Sequence, residues 1–171
     1  LISIRQLDGG WAIPFRTAGF RTIGEALASD PIPPVQSMPS SHWATGVVLR
    51  AFAAHPIWRK SELTYQASDL LRSRFFQADA YTDRKPKGYW TKFSFPFWFT
   101  DLVSSLDTLS RLGYSPEDHN IDKAITWMSS RQRPDGSFDI ELLRKGDKDA
   151  GRWVVYAFCR SLCRFYGGRP A

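Results

Sequence analysis

Five stretches of the chain place their apolar residues at the three- and four-residue spacings of an α-helix. Residues 41–55 and 151–168 are apolar around most of their circumference, which is typical of a helix buried on all sides. Residues 98–112 are expected to be buried as well. Residues 62–76 and 119–132 have one apolar stripe and one polar face, which is typical of a peripheral helix. Buried and peripheral helices therefore alternate, and no stretch predicts a clear β-strand.

Local signals set the ends of several of these helices. Gly113 provides a C-terminal cap for the third helix, and Ser115 and Pro116 are expected to open the fourth. The long segment 12–40 contains TIGEALAS at 22–29, which predicts a further short helix. A loop of that length either covers a functional site or acts as a spacer.

The helix pairs recur with a spacing of about 55 residues. Trp98 and Trp153 are 55 residues apart, and so are Gln77 and Gln132. Two-helix repeats of this length stack into a solenoid or a closed ring. The sequence therefore predicts a repeat architecture built from helices.

A short motif of Gln, Asp-Gly and an aromatic residue occurs twice. Residues 6–11 read QLDGGW and residues 132–138 read QRPDGSF. A calcium loop would need acidic or amide ligands at alternate positions and a closing Glu, which this motif lacks. Asp-Gly instead favours a turn with Gly136 at positive φ, with Trp11 and Phe138 packed beneath. The Gln amide can bond exposed helix-end carbonyls. We interpret the motif as a structural mark between repeats.

This motif resembles the QW-type repeat of the prenyltransferase and squalene-cyclase superfamily. The residues that carry the resemblance are QLDGGW at 6–11 and AITWMSSRQRPDGSF at 124–138. The resemblance implies an all-α fold, the α/α-toroid, in which inner and outer helices alternate around a central cavity. Five helices are fewer than a closed toroid contains. Residues 1–171 are therefore expected to form one toroid-like domain that is an incomplete ring, a small variant or the C-terminal part of a longer chain.

The resemblance also implies that catalytic groups lie at the N-terminal ends of inner helices. Class II cyclases carry a DxDD motif there, which falls on residues 98–101 of this chain, where only Asp101 agrees. Thr100 occupies the position of the proton donor and cannot perform that role. Asp101 is the candidate catalytic residue. Its place in the first helical turn is expected to favour the charged form, which suits a base or an anchor better than an acid.

Aromatic residues are concentrated before the third helix. The stretch KGYWTKFSFPFWF at 87–99 holds seven aromatic residues in thirteen. Their rings can line an apolar cavity and hold an isoprenoid chain or a carbocation, or they can fill the centre of the ring. On the first interpretation, the candidate substrate-binding residues are Trp43, Trp90, Phe93, Phe95, Trp98 and Trp153.

A small polar face accompanies Asp101 on the third helix. Ser104, Ser105 and Thr108 follow it at helical spacing. This face either lines a polar pocket or bonds back to the preceding turn of the helix.

Composition restricts the classes of function. The chain has 15% aromatic residues, which argues against disorder, and 171 residues, which suit one domain. A net charge of +6 admits anionic partners. The basic residues are scattered, so we predict no nucleic-acid binding. No apolar run is long enough for a membrane-spanning helix.

Candidate metal ligands are few. Cys159 and Cys163 are expected to be reduced, buried thiols, which favours a cytoplasmic location. The Asp, Cys and His zinc site of protein prenyltransferases has no counterpart, and neither a magnesium motif nor a phosphate loop is visible. We predict no metal and no cofactor. The expected partners are an apolar small molecule, and either a second copy of the chain or the rest of a longer chain.

Two hypotheses for function remain, and whether the protein is an enzyme stays open. The first is a terpenoid cyclase-like or prenyltransferase-like protein with a cavity for an apolar isoprenoid-type ligand. The second is a non-catalytic α-helical repeat module with a structural or binding role. A carbohydrate-active toroid is a third, for which no pair of acids can be assigned. The first hypothesis predicts that Trp43, Trp98, Asp101 and Trp153 converge on one side of the molecule.

Overall fold

In the part of the chain that the structure describes, the regular structure consists of six α-helices, two short β-strands and three short 3-10 helices. The computed structural model describes residues 1–12, 22–28, 35–80, 86–97, 99–144 and 149–167. The helices are α1 (Ile23–Leu27), α2 (His42–Ala54), α3 (Glu62–Ser73), α4 (Leu102–Leu112), α5 (His119–Ser129) and α6 (Ala150–Tyr166). The strands β1 (Lys92–Phe93) and β2 (Glu141–Leu142) form a parallel pair that the sequence did not predict. The prediction of a mostly helical protein is confirmed.

Most of the helices begin at a side chain that caps the free backbone N–H groups of the first turn. The capping residues are Thr22, Ser41, Ser61, Asp101 and Asp118. For α5 the expected opening at Ser115 and Pro116 is wrong. These two residues form a preceding turn, in which the Asp118 N–H bonds the Ser115 carbonyl at 3.3 Å. The carboxylate of Asp118 then caps the helix.

Helix α4 is the centre of the structure. Residues 101–110 are all buried, and the helix packs against α2, α3, α5 and α6. Its C-terminal cap is Gly113 at φ +81°, as predicted. Close packing with α2 depends on Gly46, because a Cβ there would lie 2.2 Å from Oγ1 of Thr100. The two helices therefore meet at the point where α4 begins.

The peripheral helices follow their sequence pattern. In α5, Ile121, Ala124, Ile125 and Met128 are buried, and the opposite face is exposed. In α3 the amphipathic stripe is likewise turned toward the core. Burial of these apolar side chains is the main favourable term that holds the two helices in place.

The expectation that α2 and α6 are buried on all sides is wrong. Val47 is 41% exposed on α2, and Trp153 and Tyr156 are 49% and 56% exposed on α6. Both helices pack against α4, and no described element covers their outer faces. The expectation of buried thiols is wrong for the same reason, because Cys159 and Cys163 lie on the exposed face of α6.

The two copies of the Asp-Gly motif form the same backbone turn. The Gln6 N–H bonds the Gly10 carbonyl at 2.9 Å, and the Arg133 N–H bonds the Ser137 carbonyl at 2.7 Å. The predicted positive φ is confirmed for Gly136, at +82°, and the equivalent first-copy glycine has φ +96°. Each turn is thus a four-residue turn closed by a left-handed glycine.

The glutamines of the two copies do not coincide in these turns. Gln6 occupies the first position of its turn, which Arg133 occupies in the second copy. Gln132 therefore lies one residue before the second turn. The side chain of Gln6 donates to the carbonyls of Val35 and Met38 at 3.0 and 2.9 Å, ahead of α2. A bond of the expected kind is made by Gln77, 55 residues before Gln132: its Nε2 donates to the carbonyl of Ser73, the last residue of α3, at 2.8 Å.

The aromatic residues of the motif pack into the core, as predicted. Trp11 is 1% exposed, its Nε1 donates to the Leu1 carbonyl at 2.9 Å, and its ring meets Phe52 edge-on. Phe138 meets Phe158 edge-on at 5.9 Å. Within the described ranges, every helix is too short or too polar to cross a membrane.

Candidate functional site

The candidate catalytic residue, Asp101, is the N-cap of α4. Its side chain has no exposed surface. Oδ1 accepts a hydrogen bond from the Ser104 N–H at 2.8 Å, and the Asp101 N–H donates to Ser104 Oγ at 2.9 Å, which completes a capping box. Oδ2 is buried and has no hydrogen-bond partner among the described residues. One oxygen of this carboxylate therefore serves the helix, and the other is left in the core.

Burial sets the charge of Asp101. It raises the pKa of the carboxyl to about 6, against the hydrogen bond from Ser104 and the positive charge of Arg50. Desolvation therefore outweighs the helix N-terminus and raises the pKa of Asp101, contrary to the expectation, although the ionised form still predominates at pH 7. Asp101 is closer to a proton donor than the sequence indicated.

Arg50 faces Asp101 from helix α2. Its Nη2 donates to the Phe97 carbonyl at 2.9 Å, and its Nη1 is buried without a partner among the described residues. Burial lowers the pKa of Arg50, while the charges of Asp101 and Asp107 act to raise it. The positive charge thus compensates the acid at a distance rather than through a direct bond.

The polar face beside Asp101 bonds back to its own helix. Thr108 Oγ1 donates to the Ser104 carbonyl at 2.8 Å, and Ser104 Oγ lies 3.1 Å from the Asp101 carbonyl. Ser105 Oγ is buried with no partner in the described part of the chain. Of the two alternatives for this face, backbone bonding within a packed helix fits the geometry.

A very small cavity lies where α2 begins. Its volume is about 10 Å³, room for roughly one water molecule. It is lined by His42, Trp43, Asp79, Pro86, Tyr89, Trp90 and Thr100. The Thr100 hydroxyl donates to the Trp43 carbonyl at 2.9 Å, so the polar edge of this cavity is already bonded.

Two residues that line the cavity, His42 and Asp79, form a pair that the sequence did not predict. The His42 N–H donates to Asp79 Oδ2 at 2.9 Å, and His42 Nε2 lies 3.6 Å from Oδ1. Burial and the charge of Arg74 lower the pKa of His42 to about 4, so the imidazole is neutral at pH 7. A signal was present: Gln77 and Asp79 repeat the Gln-x-Asp spacing at the start of the QLDGGW motif.

Two of the candidate substrate-binding residues belong to the core. Trp90 is 3% exposed and Phe93 is fully buried. The indole of Trp90 donates to the Gln77 carbonyl at 3.0 Å and packs between His42 and Phe75. These rings fill the space that a ligand cavity would need.

Two other candidates, Phe95 and Trp153, form a group with Tyr156 that we call the aromatic platform; Trp153 and Tyr156 are exposed, and Phe95 is half-buried. The rings of Phe95 and Trp153 are stacked, with centroids 5.4 Å apart and planes 12° apart. Tyr156 stands perpendicular to Trp153 at 6.0 Å. The guanidinium of Arg160 lies 5.7 Å from the Tyr156 ring.

The predicted convergence of four residues is not seen in the described contacts. Trp98 lies outside the described residues. Trp43 is half-buried against Phe99 at 5.2 Å, next to the start of α4, where Asp101 lies. Trp153 instead stacks on Phe95, and no described contact joins the two groups.

A wider, open groove lies at the other end of α4. It encloses about 370 Å³ and is lined by Tyr65, Asp69, Leu112, Gly113 and Tyr114. The Tyr114 hydroxyl donates to Asp69 at 2.9 Å, and burial together with this bond raises its pKa. The groove offers aromatic edges, and its polar groups are engaged with one another.

Within the described residues, no three His, Cys, Asp or Glu side chains are grouped closely enough to hold a metal ion. No protein-family model, curated protein or solved structure matches this chain.

Proposed function

We propose that this chain is a non-catalytic α-helical repeat module of the α/α-toroid type, which binds an apolar ligand on its aromatic platform. The observation that carries the proposal is the contrast in exposure between the candidate residues. Asp101, Trp90 and Phe93 are engaged in packing, whereas Trp153 offers half of its surface to solvent.

The toroid part of the proposal rests on the alternation of helices. Helices α2, α4 and α6 carry the apolar faces and pack side by side, and α3 and α5 lie against them with one stripe each. The motif turn at 6–11 lies before α2 in the chain, and the motif turn at 132–138 lies between α5 and α6. This order is the one that the resemblance implies.

The cavity lined by Thr100, the residue before Asp101, is too small for the ligand of the enzyme hypothesis. Pockets for small organic ligands enclose roughly 300 Å³ or more. The cavity near the start of α4 has about 10 Å³. An isoprenoid chain does not fit there unless Trp90 and the other lining rings move out of the core.

The platform has the features of an apolar contact surface. One face of Trp153 is covered by Phe95, which fixes the ring and reduces the entropy lost when a ligand binds. Tyr156 extends the surface by one helical turn. An isoprenoid alcohol is the matching ligand, because its apolar chain can lie along the rings and gains free energy from the apolar area that is buried.

The test is a calorimetric titration of the protein with farnesol, repeated with Trp153→Ala. We expect the substitution to weaken binding by about tenfold, which corresponds to the loss of roughly 1.4 kcal/mol of contact. Ile57→Ala is the matched control, because Ile57 is also an apolar residue, 73% exposed, but lies between α2 and α3. Equal weakening by both substitutions, or no binding by the native chain, would refute the proposal.

One observation favours the enzyme hypothesis as a second candidate. Asp101 has a pKa of about 6 and one unpartnered oxygen, which are properties of a general acid. Incubation with squalene or geranylgeraniol and analysis of the products would test it. Cyclised products that disappear in Asp101→Asn would establish the enzyme in place of the module.

A further inference from the structure

Three arginine side chains converge on one carboxylate in the middle of α4. Asp107 is only 6% exposed. Its Oδ1 accepts hydrogen bonds from Arg160 Nε at 3.1 Å, from Arg160 Nη2 at 2.8 Å and from Arg164 Nη1 at 2.7 Å. Its Oδ2 lies 3.3 Å from Arg111 Nε. We call this group of four residues the arginine cluster, and it joins α4 to α6.

The charges of the arginine cluster do not balance. Three guanidinium groups surround one carboxylate, and among the described residues no second carboxylate forms an ion pair with any of them. A single arginine would be enough to neutralise Asp107 and to hold the two helices together. The excess of positive charge makes this a place where an anion is attracted.

The arginines also keep donors available to solvent. The side chains of Arg111, Arg160 and Arg164 are 40%, 34% and 29% exposed. Each guanidinium has five N–H donors, and Asp107 uses only a minority of the fifteen or so present. Because all three bind the same carboxylate, their remaining donors border one patch of the surface.

The helix dipole explains only part of this arrangement. Arg111 and Arg164 lie in the last turns of α4 and α6, where a positive charge is favourable. Arg160 lies earlier, and the described hydrogen bonds of Arg160 and Arg164 run to Asp107 rather than to the terminal carbonyls.

We propose that the arginine cluster is a binding site for a phosphate group. A phosphate presents several oxygens at once, and arginine donors match it with paired, charge-assisted hydrogen bonds. The arginine cluster adjoins the aromatic platform, because Arg160 also contacts the Tyr156 ring. The phosphate proposal does not rest on the binding of an apolar ligand to Phe95 and Trp153.

The test measures binding of inorganic phosphate, of glycerol phosphate, and of phosphatidylcholine vesicles with and without phosphatidic acid. The three arms separate a free phosphate from a lipid headgroup. The variants are Arg111→Gln and Arg164→Gln, which both leave Arg160 in contact with Asp107. We expect each to weaken phosphate binding by about fivefold to tenfold.

The matched control is Arg152→Gln. Arg152 is on the same helix, is 86% exposed and pairs only with Asp149 among the described residues. Arg152→Gln removes the same charge from the chain as the cluster variants do, but leaves the arginine cluster intact. We expect this substitution to weaken phosphate binding less than about twofold. The proposal is supported if a phosphate-bearing probe binds the native chain and its binding is lost selectively in the cluster variants. The probe that binds then tells whether the phosphate is free or part of a lipid headgroup. Absence of binding in every arm, or equal loss in Arg152→Gln, overturns it.

A stability measurement provides an independent check. Asp107→Asn leaves the three arginines without their carboxylate, so a bound phosphate should replace the missing charge. We expect phosphate to raise the Tm of Asp107→Asn more than that of the native chain, since ligand binding to the folded state stabilises it. An equal or smaller rise in the variant contradicts the proposal.

Discussion

The two Asp-Gly turns have the same backbone and different surroundings. In the second turn, Asp135 is fully exposed, and its hydrogen bonds to described residues stay within the turn: it accepts from the N–H and the hydroxyl of Ser137 at 2.9 and 2.6 Å. In the first turn, Asp8 accepts from the Gly10 N–H at 3.1 Å and also reaches two distant partners, Ser40 and Arg74. One turn is a local feature, and the other ties three segments together.

The contacts of Asp8 explain why the first turn reads DGG and the second DGS. Oδ2 of Asp8 accepts from the Ser40 N–H, the Ser40 hydroxyl and Arg74 Nη2, all at 2.9 Å. A Cβ on Gly10 would lie 2.4 Å from Ser40 Oγ and 2.5 Å from Oγ1 of Thr45. At the equivalent exposed position, Ser137 is tolerated. A shared motif thus predicts the shape of a turn but not its contribution to stability.

The largest effect is expected for Asp8→Ala. Burial acts to raise the pKa of Asp8, but the hydrogen bonds from Ser40, Gly10 and Arg74 outweigh it and lower the pKa. Removal of this carboxylate leaves Arg74 and the Ser40 N–H without their acceptor, and we expect a loss of about 2 kcal/mol in the free energy of unfolding. Denaturation with urea at pH 7 measures it. A loss no larger than that of Asp135→Ala would show that the two turns are equivalent after all.

A smaller loss of stability is expected when the left-handed glycine of either turn is replaced. Gly136→Ala should destabilise the protein by about 1 kcal/mol, because an L-residue is strained at positive φ. No atom lies within 4 Å of the Cβ that would be added, so the cost is that of the backbone alone. Thermal unfolding followed by circular dichroism measures it. An unchanged Tm would contradict the turn assignment.

The smallest effect is expected for Asp135→Ala. Its carboxylate is fully exposed, and water can replace it as the acceptor for Ser137. We expect a Tm within experimental error of the native value. A clear drop would mean that Asp135 has a partner in solution beyond Ser137, and the contrast with Asp8 would weaken.

The helices were predictable because their signals are local. Apolar spacing and capping residues placed all five main helices, and the preference of Asp-Gly for a left-handed glycine gave the conformation of Gly136. The start of α5 was misplaced because Ser115 and Asp118 are both good caps. Only the path of the intervening turn decides between them.

The electrostatics of the site could not be predicted in the same way. The helix N-terminus alone favours an ionised Asp101, but its pKa depends on complete burial by residues far away in the sequence. Likewise, the spacing of Arg160 and Arg164 marks one face of α6 without revealing that Asp107, 53 and 57 residues earlier, lies beneath it. The exposure of Trp153 could not be predicted either, because it depends on whether another element covers α6.

The most direct test of whether Asp101 is buried by packing, with no access to solvent, is the pH dependence of stability in the native chain and in Asp101→Asn. Asparagine keeps the capping oxygen and removes the titration. Since the pKa is about 6 in the folded protein and about 3.8 when unfolded, the folded state holds the proton more tightly between these values.

The stability of the native chain relative to the variant should therefore fall by roughly 2 to 3 kcal/mol as the pH rises from 4 to 7. Urea denaturation at a series of pH values gives both curves. We predict that Asp101→Asn is at least as stable as the native chain at pH 7 and lacks this fall. Parallel curves for the two proteins would contradict the account, because they would mean that Asp101 is solvated in the folded protein and is not buried by packing.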